Sequence, residues 1–446
     1  VGSEMCIRDR YYLSLLMAIM AIAVSAQEPW DGTSASWTNG DGSSEKPYLI
    51  ENGQHLAFLA EQVLAGETYA GKFFLLTKDL DMGADKGLKF DPIGMYDDYI
   101  DTSNPNQGED QGIIEASKCF SGVFDGNGKK IDNIHIYYID EMSVGGTGLF
   151  GCIGKGAIIQ NLGIGEKSTI EGMDQTGALV GYMKGGLVQY CYNEGTIDMK
   201  SGMISGGLVG GGENGKIANC YNRGMVTGTT YAAGIIGFAD KDFIVENCYN
   251  NGMIYSTGFT PAGVIGYLCS GRISNCYNAG LFVIDDTPMG VVGDIDAGVI
   301  IENCYFLEAD GVENEHAGVT SKTNDEMLSV DFLNVLNGTQ SPAPWVADVN
   351  TVNEGLPILA WQISGTTGMQ ATQQELDCEL FVENQAVYVT FESSESGEVI
   401  VMDMTGRTII DKTIQSGDSV IILDKGIYIV MVKADGQQHI TKIAIK

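Results

Sequence analysis

Along the middle of this chain, apolar residues come in runs of three to five separated by glycine. Stretches such as Lys216-Ile-Ala-Asn-Cys-Tyr-Asn222 and Gly224-Met-Val226 alternate and favour β-branched and aromatic side chains. That is strand chemistry, and no helical period of ten residues occurs within it. The runs also repeat. A Gly-apolar-apolar-Gly unit recurs at Gly148–Gly151, Gly177–Gly181 (one residue longer), Gly207–Gly210, Gly234–Gly237, Gly263–Gly266 and Gly290–Gly293, with first glycines 29, 30, 27, 29 and 27 residues apart. A second marker follows each in phase: Asn161-Leu162, Cys191-Tyr-Asn193, Cys220-Tyr-Asn222, Cys248-Tyr-Asn250, Cys276-Tyr-Asn278 and Cys304-Tyr-Phe306. The offset from first Gly to Leu or Cys is 14, 14, 13, 14, 13 and 14 residues. Two or three short strands per repeat are too few for a propeller blade of about 40 residues. They fit one coil of a parallel β-solenoid, with coils stacked about 4.8 Å apart.

Stacked coils turn equivalent residues into ladders. Cys191, Cys220, Cys248, Cys276 and Cys304 share one register, and Leu162 takes it in the first repeat. A slot that accepts Leu or Cys is an apolar core position, so these cysteines are expected as a buried stack of free thiols. Axial disulfides are the rival, but parallel stacked Cβ vectors strain such a bond. Metal binding lacks a C-x-x-C spacing or a partnering His. The tyrosine one place along points the opposite way, as a stripe on the surface or under a loop. Its rings either stack on one another or offer a platform for carbohydrate. The following Asn is a turn former whose side chain is free to ladder. The glycines of each unit mark corners that need positive φ or close backbone approach.

The flanks read differently. Leu56, Leu59, Ala60 and Val63 fall on one face of a helix over residues 54–65, closed by Gly66, which suits a cap over the solenoid's first edge. Residues 73–82 and 120–138 read as early coils, and 95–118 as an acidic loop leaving the stack. Asp125-Gly-Asn-Gly128, with Asp79 and Asp81 similar in pattern, raises calcium as a reading, but Lys129 breaks the EF-hand loop and a tight glycine turn is favoured. After the last repeat, Thr323-x-x-Glu326 is a capping box for a short helical stretch to about Asn337, with a break near Ser329. Trp30, Trp37, Trp345 and Trp361 all lie outside the repeats and suit plugging of the ends. A polar linker precedes alternating strands from Leu380 to Lys446, enough for a small Ig-like antiparallel sandwich.

Composition narrows the function. With 25 Lys+Arg against 58 Asp+Glu, the net charge is −33, which opposes nucleic acid and anionic lipid as partners. The 60 Gly beside only 9 Pro match many tight turns. Tyr11 to Ala26 forms an apolar run ending in Val24-Ser-Ala26, a signal peptide with cleavage between Ala26 and Gln27. It is shorter than the roughly 18–20 apolar residues of a membrane span. No other stretch is long and apolar enough, so the mature chain is expected to be exported without a transmembrane segment. Residues 1–10, VGSEMCIRDR, resemble a translated sequencing-adapter tag and do not enter the fold reasoning.

The repeats, over about residues 145–306, resemble GLUG repeats of large bacterial surface proteins. The resemblance implies a right-handed β-helix-like solenoid at the cell surface and no particular activity. Some relatives carry a metalloprotease, whose H-E-x-x-H is not formed by His55, His135, His316 or His439. Asp403-Met-Thr-Gly-Arg407, Gly426-Ile-Tyr428 and the ending Lys442-Ile-Ala-Ile-Lys446 resemble the type A sorting domain of type IX secretion cargo. That implies export by the type IX machinery, removal of this domain, and attachment to surface polysaccharide or release.

The expected layout is all-β: signal peptide 1–26, N-terminal cap 27–70, solenoid 71–306, C-terminal cap 307–363, linker 364–376 and sorting domain 377–446. The expected function is an adhesin-like binding protein of a Gram-negative bacterium, secreted or on its surface, presenting the solenoid to a host glycan or matrix protein. No catalytic residue, metal site or cofactor is assigned. The alternative is a β-helix polysaccharide lyase or hydrolase, which needs clustered acids, or calcium with a Lys or Arg base. No charged register persists after the C-Y-N marker, where Glu194, Arg223, Asn251 and Ala279 stand.

Overall fold

The computed structural model describes residues 28–96, 118–137, 146–284, 287–313 and 316–364, together with seven strands between Cys378 and Ile445. The signal segment with Ala26 and Gln27, most of the 95–118 insertion and nearly all of the linker lie outside the described residues.

The repeats build a parallel β-solenoid of about eight turns. Register passes unbroken from coil to coil: Val180 pairs with Val209, then Ile236, Ile265 and Val292. On another side Tyr192 pairs with Tyr221, Tyr249, Tyr277 and Tyr305 in turn. A further sheet stacks Ile136, Ile170, Ile197, Val226, Ile254 and Phe282. Parallel stacking begins at Tyr48–Ile50, which pairs with Phe73–Leu76, and ends at Val319–Lys322, which pairs with Cys304–Leu307. Both lie beyond the marked repeats, because a single closing strand carries no periodic signature.

The apolar pair inside each glycine unit fills the core: Leu208, Val209, Ile235, Ile236, Val264 and Ile265 are fully buried. The glycines serve close approach, with φ outside the left-handed region. A Cβ on Gly234 would sit 2.3 Å from Asn250 Cγ and 2.3 Å from the Gly263 carbonyl. Positive φ falls instead on the residue before the ladder position held by Leu162 or Cys, at Asn161, Tyr190, Asn219, Asn247, Asn275 and Asn303, with φ between 53° and 55° at all but Asn247 at 52°. Asparagine tolerates that conformation better than most residues.

The first edge is covered by the helix Gly53–Leu64, whose N-cap Asn52 accepts the His55 N–H at 2.9 Å. Leu56, Leu59, Ala60 and Val63 are buried beneath it, and Trp37 packs against Tyr48, Phe58, Tyr69 and Phe74. The opposite end differs from expectation. There Val312 packs against the core and His316 Nε2 lies 2.6 Å from the Gly293 carbonyl. Trp345 and Trp361 do not plug that end. They lie along the flank, because the chain after the helices Asn324–Met327 and Val330–Asn337 turns back beside the stack.

The C-terminal strands form a three-stranded and a four-stranded antiparallel sheet. Val387, Val389 and Ile421 of one share a core with Val399, Val401, Val430 and Val432 of the other. Alternation places apolar residues inward on both, which is the sandwich arrangement.

Candidate ligand-binding faces

The marker C-Y-N builds three ladders. The cysteines Cys191, Cys220, Cys248, Cys276 and Cys304 are fully buried and unpaired. Their Sγ atoms lie 3.1–3.3 Å from the carbonyl two residues back, as Cys220 does from Ala218. Burial pushes the Cys220 and Cys276 thiols well above their usual range, so they stay protonated and inert. A disulfide joins Cys119 to Cys152, outside this register. Cys119 belongs to no repeat, so spacing does not announce this bond, which links adjacent coils beside the Phe120–Ile153 bridge.

The second ladder is polar and interior. Asn193, Asn222 and Asn250 each donate from Nδ2 to the Oδ1 of the next, ending on Asn278, at 2.8 Å. Each Oδ1 also accepts the backbone N–H two residues on, closing a turn at 2.9–3.3 Å.

The third ladder is aromatic. Tyr192, Tyr221, Tyr249 and Tyr277 stack with ring centroids 5.0–5.1 Å apart and planes within 11°. The returning chain covers it. Trp361 lies over Tyr192 and Tyr221, Trp345 over Tyr249 and Tyr277, and Phe332 over Tyr277 and Tyr305. Polar contacts fix this strap: Pro357 O accepts from Tyr277 Oη at 2.6 Å, Asn353 Nδ2 donates to Tyr277 Oη at 2.7 Å, and Trp361 Nε1 donates to Asn219 O at 2.9 Å. Burial pushes Tyr221, Tyr249 and Tyr277 well above the usual phenol range. The tyrosine stripe is therefore internal packing and offers no platform to carbohydrate. The Asp125 carboxylate is likewise occupied, by Asn127 N–H at 2.7 Å, Gln160 Nε2 at 2.7 Å and Asn161 Nδ2 at 3.1 Å.

An open face remains on the sheet that runs from His135–Tyr137 to Phe282–Ile284. Its outward residues form two columns and change character along the axis. At the first end His135 Nε2 meets Glu171 Oε1 at 2.9 Å, Lys200 Nζ meets Glu171 Oε2 at 3.3 Å, and Lys89 Nζ sits 3.4 Å over the Tyr137 ring. At the other end stand Met225, Met253, Leu281, Tyr255 and Val283, exposed by 38–66%.

Residues 383–446 match the secretion system C-terminal sorting domain. The sandwich is a type IX sorting domain. A protein carrying it is secreted or displayed at the cell surface, and the secretion machinery is its partner in export. Among the described residues no helix is long and apolar enough to cross a membrane. Over 188 residues the chain is also 29% identical to a protein of Evansella cellulosilytica named as a Gly-rich membrane protein. That match takes in 42% of this chain and spans 18% of the relative's length.

Proposed function

We propose that this type IX cargo is an adhesin-like binding protein that presents its solenoid to a ligand outside a Gram-negative cell. The observation that carries the reading is the apolar half of the open sheet face. Met225, Met253, Leu281, Tyr255 and Val283 stand in adjacent columns, where contiguous exposed apolar surface marks an interaction site. Methionine, leucine and valine suit a protein ligand such as a matrix protein better than a sugar. The test is an array of matrix proteins and glycans probed with the full mature chain. Met253→Lys and Tyr255→Asp should abolish capture of any protein ligand while leaving unfolding unchanged. Full capture by both variants refutes this face.

A second reading, polysaccharide cleavage, draws on His135, Glu171 and Lys200, which form an ionisable cluster at the other end of the same face. A base and an acid within hydrogen-bond reach are the minimum for proton transfer. Product release from a polysaccharide panel, lost in His135→Ala, would favour it.

A further inference from the structure

A different outer surface carries a ligand signature of its own. The strands Val180–Gln189, Val209–Ala218, Ile236–Asp240, Ile265–Leu268 and Val292–Ile295 stack in register. One outward column reads Tyr182, Gly211, Phe238, Tyr267, Asp294. The column two residues further along the strands begins Lys184, Glu213, Asp240. Beyond it come Cys269, whose N–H bonds Ala239 O, and Asp296, whose N–H bonds Leu268 O. Aromatic rings therefore run beside carboxylates at a strand spacing of about 6.6 Å.

The rings are grouped and partly exposed. Tyr267 lies 5.4 Å from Tyr231 and 5.7 Å from Phe238 between centroids. Tyr231 reaches them from the neighbouring sheet across Gly266, where a Cβ would sit 2.9 Å from Tyr231 Cβ. One carboxylate is already oriented, since Tyr267 Oη donates to Asp296 Oδ1 at 2.9 Å, and Asp294 is the register partner of Tyr267 on the next coil. Each keeps further lone pairs for a ligand. Lys241 pairs with Glu213, which leaves the negative charge concentrated around the rings.

We infer that Tyr231, Phe238 and Tyr267, flanked by Asp240, Asp294 and Asp296, form a binding site for neutral or amine-bearing sugar residues. Ring faces take the apolar C–H face of a pyranose, and the carboxylates accept its hydroxyls or an ammonium group. The same charge repels uronic and sialic acids. The site goes beyond the protein-binding face, from which it is separate in sequence register and sheet.

The experiment titrates the full mature chain with neutral hexose, amino-hexose and uronate oligosaccharides. Neutral and amino-sugar oligomers should bind, and uronates should not. Tyr267→Ala should weaken binding about tenfold. Tyr267→Phe keeps the ring and releases the Asp296 carboxylate, so its affinity should stay within about threefold. Asp296→Asn should narrow the preference for amino sugars. Tyr255→Asp, on the other face, should leave sugar affinity unchanged. Equal binding of uronates overturns the inference, as does undiminished binding by Tyr267→Ala with unchanged unfolding. Failure of every sugar to bind below about 1 mM also overturns it. Capture of a matrix protein in that case would leave the proposed function standing, so the two failures are distinguishable.

Discussion

Asn250 is the best place to test whether the buried amide ladder holds the coils together. It is fully buried, and its amide makes four hydrogen bonds. Nδ2 donates to Asn278 Oδ1 at 2.8 Å and Gly252 O at 3.2 Å, while Oδ1 accepts from Asn222 Nδ2 at 2.8 Å and Gly252 N–H at 3.1 Å. In Asn250→Ala, Asn222 keeps its bond to Gly224 O and Asn278 keeps that from Gly280 N–H. Gly252 loses the partners of both its N–H and its C=O. At about 1–3 kcal/mol for each stranded buried group, the loss is about 2–6 kcal/mol. Asn250→Asp has the same shape but sets a buried anion against two carbonyl-type oxygens, so it should cost more at neutral pH. Burial raises the folded-state pKa of that new carboxyl above its unfolded value, so stability returns as pH falls through the folded pKa. The Ala variant should show no such trend. Urea unfolding followed by tryptophan fluorescence isolates the solenoid, because all four Trp precede the sandwich. A loss below about 1 kcal/mol for Asn250→Ala, or equal losses for Ala and Asp at pH 7, would refute the reasoning.

Further outcomes follow from other contacts. In native protein a thiol reagent should spare Cys191, Cys220, Cys248, Cys276 and Cys304 and find Cys269 the readiest described thiol, with the five released on unfolding. Trp361→Ala should destabilise the solenoid by about 2–4 kcal/mol by uncovering Tyr192 and Tyr221, read by urea unfolding. Burial raises the Glu194 carboxyl despite Arg223 at 3.8 Å, so Glu194→Gln should stabilise the protein at pH 7. That advantage should shrink as pH falls through the raised folded pKa toward the ordinary carboxylate range, measured as paired unfolding curves. A chain ending at Ser364 should unfold like the mature protein yet stop in the periplasm of a type IX-secreting host, checked by fractionation.

The coil stack was legible because its physics is periodic. A position that accepts Leu162 or Cys220 announces an apolar slot, and phase-locked glycines announce a constant coil length. The left-handed bend is also written in the sequence, as the asparagine that precedes Cys220, Cys248, Cys276 and Cys304. The strap was not legible. Tyr277 meets Asn353 and Pro357 at separations of 76 and 80 residues, and Trp361 reaches Asn219 across 142. Such contacts happen once and leave no period. For the same reason the capping box at Thr323 could be placed locally, while the flank its helix would cover could not. Phe238, Tyr267 and Asp294 look unrelated in sequence until register puts them in one column.

The returning strap also decides where a mechanical load would enter the molecule. A tether pulling beyond Ser364 would act first at Trp361, which lies over Tyr192 and Tyr221. That point is some four coils, about 19 Å, back from the coil of Tyr305. Tension would therefore peel the strap from its far tip, releasing Trp361 and Gln362 before Tyr277, instead of shearing the last coil from the stack. The strap would act as a sacrificial fastening that extends and dissipates work while the faces of the solenoid stay folded.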